Sequence, residues 1–199
     1  MKKLFKYFIF GFFLILLPLA ANAQDFNRHP ILWIADFEDP DMPQNTGVWV
    51  HNILDPDQSL KIEIMQQGTA RKKAGKVLRL DYDVDSPNPA MAGFWVNLRN
   101  QDFSGFDTLH LSLKAGEGER FPGSIALQFT DANNHKAPYL ISDIPPEWKE
   151  FHVRLKKFNR INDWSEIKEF EIIIDDINAR PKEGILFVDG IYVSKDRVK

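Results

Sequence analysis

The sequence predicts an all-β protein, a β-sandwich of two antiparallel sheets in the jelly-roll manner, with roughly ten strands. Three observations predict it. From Ile31 onward apolar residues recur at every second position in short runs, the period at which a strand buries one face and wets the other. The runs are separated by clusters of Gly, Pro, Asn and Asp, which supply turn geometry and interrupt strands. The last run, Gly184 to Val193, is apolar almost throughout, as befits a strand in the middle of a sheet.

Taken in order, residues 1–23 have the form of a signal peptide. Lys2, Lys3 and Lys6 give a basic start, Tyr7 to Ala20 is an apolar run too short to span a bilayer comfortably, and Ala21-Asn22-Ala23 fits a peptidase site. Cleavage after Ala23 would leave 24–199 as a single domain, exported to the periplasm or beyond, with no stable membrane insertion; an uncleaved anchor is the alternative. In that domain Leu60, Ile62 and Ile64 alternate with Lys61 and Glu63, and Leu78, Leu80, Tyr82 and Val84 with Arg79, Asp81 and Asp83. Phe94, Val96 and Leu98 alternate with Trp95 and Asn97, and Leu109, Leu111 and Leu113 with His110, Ser112 and Lys114. Ile125, Leu127 and Phe129 follow with Gln128 and Thr130 between them, then Phe151, Val153 and Leu155 with His152 and Arg154. The basic run Ala70 to Lys76 suits a solvated hairpin tip. A short helix is expected where Asp163 and Glu166 form a capping box ahead of Ile167 and Phe170.

Composition narrows the function classes. Without Lys2, Lys3 and Lys6 the net charge moves from −3 to about −6, which disfavours nucleic acid and anionic membrane as partners. With no cysteine there is neither a disulfide framework, nor a thiol nucleophile, nor a thiolate metal site. His29, His51, His110, His135 and His152 lie on separate segments without metal spacing, and no Gly-x-Ser-x-Gly turn is present. Asp175-Asp176 would face opposite ways in a strand, whereas glycoside hydrolysis needs two carboxyl groups flanking one bond. The pair fits a strand end and loop better, so the sequence speaks against an enzyme.

One pair of acids stands out. Asp189 lies at the centre of the last apolar strand, and Asp36 and Glu38 flank Phe37 in the first. If the two strands pair, Glu38 and Asp189 meet with no Lys or Arg in either segment. Carboxylate and carbonyl oxygens suit calcium, so the pair is expected to bind a structural Ca2+ that staples the chain ends. The other reading is a cap and a buried aspartate that takes backbone amides.

The order Asp-Phe-Glu at 36–38, Trp49, Leu78 to Val84, Ala92 to Leu98, Asp102 to Gly118, Trp148 to Leu155, Trp164 to Ile172 and Ile185 to Val193 resembles a galactose-binding-like β-sandwich. It is similar to carbohydrate-binding module family eleven and to the complex I intermediate-associated protein domain. The resemblance spans nearly the whole of 24–199. It implies a structural calcium at the positions of Glu38 and Asp189, with Gly190 where the family more often has a second acid. It also implies a sugar site on a concave sheet, where rings stack on pyranose faces and planar polar groups bond hydroxyls. Trp95 stands where the family shows a tyrosine, Asn97 follows on the same face, and Gln128 and Tyr139 come from neighbouring strands. Tyr82 and Tyr192 read as core.

Trp95 should point outward because Phe94 and Val96 claim the inward face; Trp148 and Trp164 read as packing residues. The expected function is therefore exported, non-catalytic binding of a polysaccharide or oligosaccharide, a β-glucan or its relative. The alternative is an envelope assembly factor that holds another protein, and a lesser one is a glycan-active enzyme or its accessory module. Aromatics among amides, acids and basic groups would favour sugar, and a flat apolar patch would favour protein.

Overall fold

The computed structural model describes residues 30–38, 45–67, 75–116 and 121–195; the expected signal peptide at 1–23 and most of the basic run at 70–76 lie outside the described residues. The strands are β1 (Ile31–Ala35), β2 (Thr46–Val50), β3 (Ser59–Gln67), β4 (Gly75–Asp83), β5 (Met91–Gln101) and β6 (Thr108–Ala115). They continue as β7 (Phe121–Asp131), β8 (Lys136–Ile144), β9 (Lys149–Arg154), β10 (Ile167–Asp175) and β11 (Glu183–Ser194). One sheet runs β3-β4-β11-β6-β9 with β1 also against β11, and the other runs β2-β5-β10-β7-β8. All the pairings are antiparallel. The predicted sandwich is present.

The alternating residues do what their period requires. Leu78, Leu80, Leu109, Leu111, Leu113, Leu186 and Val188 of the first sheet face Phe94, Val96, Leu127, Phe129, Phe170 and Ile172 of the second, and all are buried. At one end the filling is aromatic: Phe129 lies edge-on to Phe103, Phe158 and Trp164 and tilted against Phe170. Offset and edge contacts of this kind are the favoured ring geometries.

β11 is the spine of the first sheet. Its first half pairs with β4, its second half with β1 on that same side, and β6 runs along its other side. Between Asp189 and Tyr192 the register against β6 slips, and Gly190 there has φ 58°, a left-handed value that costs glycine little. The bulge keeps Leu186 and Val188 before it, and Ile191 and Val193 after it, all buried.

Two expectations change. Among the described residues there is no α-helix, only a 3-10 turn at Leu155–Lys157. Asp163 does not start a helix; its Oδ1 accepts the Ser165 N–H at 2.9 Å, the local side-chain turn by which Asp competes with helix formation. Tyr192 is not core: it stacks on His110 at 4.5 Å on the outer face of the first sheet. Tyr82, by contrast, is buried.

At one end of the sandwich the β2–β3 and β4–β5 crossovers are tied by Asp55. Its Oδ2 accepts from Ser86 at 2.8 Å, Gln58 at 3.0 Å and Asn88 at 3.2 Å, and its Oδ1 from the Asp57 N–H at 3.0 Å. The Ser86 hydroxyl first, then the Asp57 amide, Asn88 and Gln58, hold the carboxyl down at about 2. A folded-state pKa depressed in this way contributes stability that is present above the ordinary aspartate value and lost as pH falls toward 2. Asp55→Asn, which cannot accept from all these donors, should melt lower than the parent at pH 7, and the gap should close as pH falls from about 4 to 2. Thermal melts across that range check it.

Candidate functional site

The outward residues of the second sheet fall into rows fixed by register. One row runs Gly47, Trp95, Glu171, Gln128 and Pro138 across β2, β5, β10, β7 and β8. The next holds Asn97, Glu169, Thr130 and Lys136, and on the other side lie Trp49, Gly93, Ile173, Ala126 and Leu140. Adjacent strands are about 4.8 Å apart, so Trp95, Glu171 and Gln128 are direct neighbours.

Two glycines let two tryptophans lie flat here. A Cβ on Gly47 would come 2.6 Å from Trp95 Cζ2, and one on Gly93 would come 2.5 Å from Trp49 Cε2. Each indole thus lies over the glycine that faces it on the neighbouring strand, Trp95 toward β2 and Trp49 toward β5. Trp49 reaches on to β10, where its Nε1 donates to Glu171 Oε1 at 2.9 Å. Glu171, only 4% exposed, also accepts from Gln128 Nε2 at 2.5 Å, with Lys136 Nζ at 3.9 Å from the same Oε2.

Further along, burial and then the neighbouring Glu171 charge raise the Glu169 carboxyl above the ordinary glutamate value, against the pull of Lys136 and Lys168. Glu169 therefore takes up a proton, and becomes a donor, at a higher pH than an exposed glutamate. Thr130 Oγ1 beside it is buried with no hydrogen-bond partner among the described residues. Asn97 is exposed; its Oδ1 accepts the Arg99 N–H at 2.9 Å, so its amide nitrogen is the group it offers outward. Beyond it opens a pocket of about 310 Å³ whose polar lining is Asn45, Asn97, Arg99 and Gln101.

Of the predicted ligand residues, the structure therefore places Trp95, Asn97 and Gln128 on one face. It does not place Tyr139 there. Tyr139 is opposite Leu127 in the β7–β8 register and packs on Phe158, 5.8 Å away, so it belongs to the core face: the Tyr139 position has the parity of Ala137 and Ile141, both buried. Trp49 and Glu171 were missed. The signal was a repeated Gly-x-Trp, Gly47-Val48-Trp49 and Gly93-Phe94-Trp95, whose significance appears once β2 and β5 pair with each glycine opposite the other strand's tryptophan.

The first and last strands do pair, Ala35 opposite Ile191, and Asp189 is 1% exposed. Phe37, with φ 61°, turns the chain just after β1 and is buried. A positive group does reach this region, from a third strand: Lys76 Nζ of β4 donates to the Glu38 carbonyl at 3.1 Å. Among the described residues Glu38 and Asp189 belong to no cluster of three converging ligand side chains.

Asp175 accepts from the Ile177 and Asn178 amides and from Asn178 Nδ2 at 2.9–3.0 Å, so the Asp175-Asp176 pair is a strand end and turn.

No family model matches the sequence and no curated relative does. The likeness is to solved structures, and it is one of fold. The family 11 carbohydrate-binding module of a cellulosomal cellulase of Clostridium thermocellum superposes with TM-score 0.62 at 13% identity, over 86% of this chain and 99% of that one. A family 11 module from Clostridium thermocellum in complex with a β-1,3-1,4-mixed-linked tetrasaccharide gives 0.60 at 14% identity, over 83% and 95%. A β-1,2-glucanase from Parabacteroides distasonis gives 0.61 at 11% identity, over 85% of this chain and 25% of that one. The chain thus has the sandwich fold of these carbohydrate-binding modules.

The flat indole over Gly93 yields a prediction. Gly93→Ala should lift Trp49 and break its bond to buried Glu171, destabilising the protein by about 1–3 kcal/mol. Urea unfolding and tryptophan emission check it, with lower stability and altered emission expected together.

Proposed function

We propose that the protein is an exported, non-catalytic carbohydrate-binding protein that holds a β-glucan or related polysaccharide across the outer face of the second sheet. The observation that carries the reading is the pair of flat indoles, Trp49 and Trp95, beside Glu171, Gln128, Glu169 and Lys136. Rings lying along a sheet suit the apolar faces of pyranoses, while fixed carboxylates and amides suit hydroxyls. The shared fold with modules that include one bound to a mixed-linked tetrasaccharide supports the same ligand class.

Binding rather than cleavage fits the acids. Glu171 is 4% exposed and tied to Trp49 and Gln128, which leaves it no free carboxylate to act on a bond, whereas hydrolysis needs two carboxyl groups at the reacting centre. The alternative, a hold on an envelope protein, would draw on other residues: the exposed Ile53, Leu54 and Ile177. Export rests on the form of residues 1–23, with the protein in the periplasm or outside the cell.

Affinity electrophoresis through soluble β-1,3-1,4-glucan, xylan and mannan should retard the parent in at least one gel without degrading the polysaccharide. Each stacked ring contributes about 1 kcal/mol, so Trp95→Ala should weaken binding about fivefold. Retardation in none of the gels would favour the protein-binding alternative.

The calcium staple is part of the same proposal, at Glu38 and Asp189. An ion held only by the folded state adds about 2.7 kcal/mol at a hundredfold excess over Kd. Calcium should therefore raise the melting temperature and a chelator lower it, with the shift lost in Glu38→Ala and Asp189→Ala. An undiminished shift in both variants would place the ion elsewhere.

A further inference from the structure

The outer face of the first sheet, on the other side of the molecule from the tryptophan pair, carries a second cluster. Register aligns Trp33 of β1, Tyr192 of β11, His110 of β6 and His152 of β9 in a row across four strands. His110 lies stacked against Tyr192 with planes 1° apart, and His152 meets it edge-on at 4.8 Å. The two imidazoles face each other through Nδ1, 2.7 Å apart. Glu150, two residues before His152, brings Oε1 to 3.8 Å from His110 Nδ1 and Oε2 to 3.9 Å from His152 Nε2.

We propose that His110, His152 and Glu150 bind a divalent transition cation of the zinc type. Their ligand atoms lie within 4.8 Å of one another, and two imidazole nitrogens with one carboxylate form a donor set that suits zinc rather than calcium. The surrounding bonds prepare it. His110 Nε2 is 2.7 Å from Ser194 Oγ; a proton on Nε2 donated to that hydroxyl leaves the lone pair on Nδ1, aimed at His152. Tyr192 donates its hydroxyl to Glu150 Oε1 at 3.0 Å and orients the carboxylate.

The geometry needs a small adjustment. Two nitrogens bound to tetrahedral zinc at about 2.0–2.1 Å stand about 3.3 Å apart, so the pair must open by about half an ångström. His152, 55% exposed, can swing while His110, 13% exposed, stays fixed. Three protein ligands leave the fourth position to water. The ion would tie the edge strand β9 to β6. Histidine spacing in the sequence gave no sign of such a site, because His110 and His152 are 42 residues apart and meet only through strand pairing.

The test is calorimetric titration of the protein, purified without a histidine tag and kept in excess calcium, with zinc chloride, paired with the visible absorption of the cobalt form. One equivalent of zinc is expected. His152→Ala and Glu150→Gln should each weaken binding at least tenfold and remove the tetrahedral cobalt bands, while their melts without zinc match the parent. His135→Ala, whose imidazole pairs with Asp131 at 2.8 Å on the β7–β8 turn, should bind zinc as the parent does. No zinc uptake by the parent, or uptake undiminished in both variants, would overturn the site.

Discussion

β11 is buried along most of its length, and the carboxylate in its buried stretch sits beside the bulge that breaks its register. Asp189, 1% exposed, precedes Gly190, whose left-handed backbone makes the bulge that realigns the strand. On either side of that point the strand takes different partners, β4 and then β1 along one edge. The chain's first and last strands are thereby zipped together, and the first sheet is organised around them. A side chain at Gly190 would be forced into the left-handed region at a cost of roughly 1–2 kcal/mol, with the register of Ile191 and Val193 at stake.

The second sheet has a comparable constraint on its outer face. Gly47 and Gly93 are not there for backbone freedom; they are there because an indole lies on each. In the β2–β5 register the two Gly-x-Trp segments run antiparallel, so each supplies the room that the other needs. The consequence is chemical as well as steric: Trp49, held flat, donates to Glu171, and Glu171 in turn fixes Gln128. Ring faces and polar groups are thus set in advance, which would reduce the ordering cost of the proposed binding.

Much of this was legible in the sequence because period two and turn chemistry are local signals. The strands and the outward direction of Trp95 follow from them; the pairing of the chain ends was a condition of the calcium expectation, and the register of β1 against β11 supplies it. What was not legible depends on tertiary register. Tyr139 looked available because a strand after a turn can begin on either parity, and opposition to Leu127 settles it inward. Asp163 looked like a helix cap because Asp begins helices and side-chain turns by the same hydrogen-bonding habit. His110 and His152, like Trp49 and Glu171, acquire meaning only when separate strands are laid side by side.

The central claim is that the paired indoles contact sugar, and the indole N–H resonances read it most directly. The chain has five tryptophans. In a two-dimensional nitrogen–proton spectrum titrated with a β-1,3-1,4-linked glucan tetrasaccharide, the account predicts that the Trp49 and Trp95 signals move together and saturably, while those of Trp148 and Trp164 stay in place. No movement with that ligand or with xylan and mannan oligosaccharides, or movement that spares both Trp49 and Trp95, would contradict it.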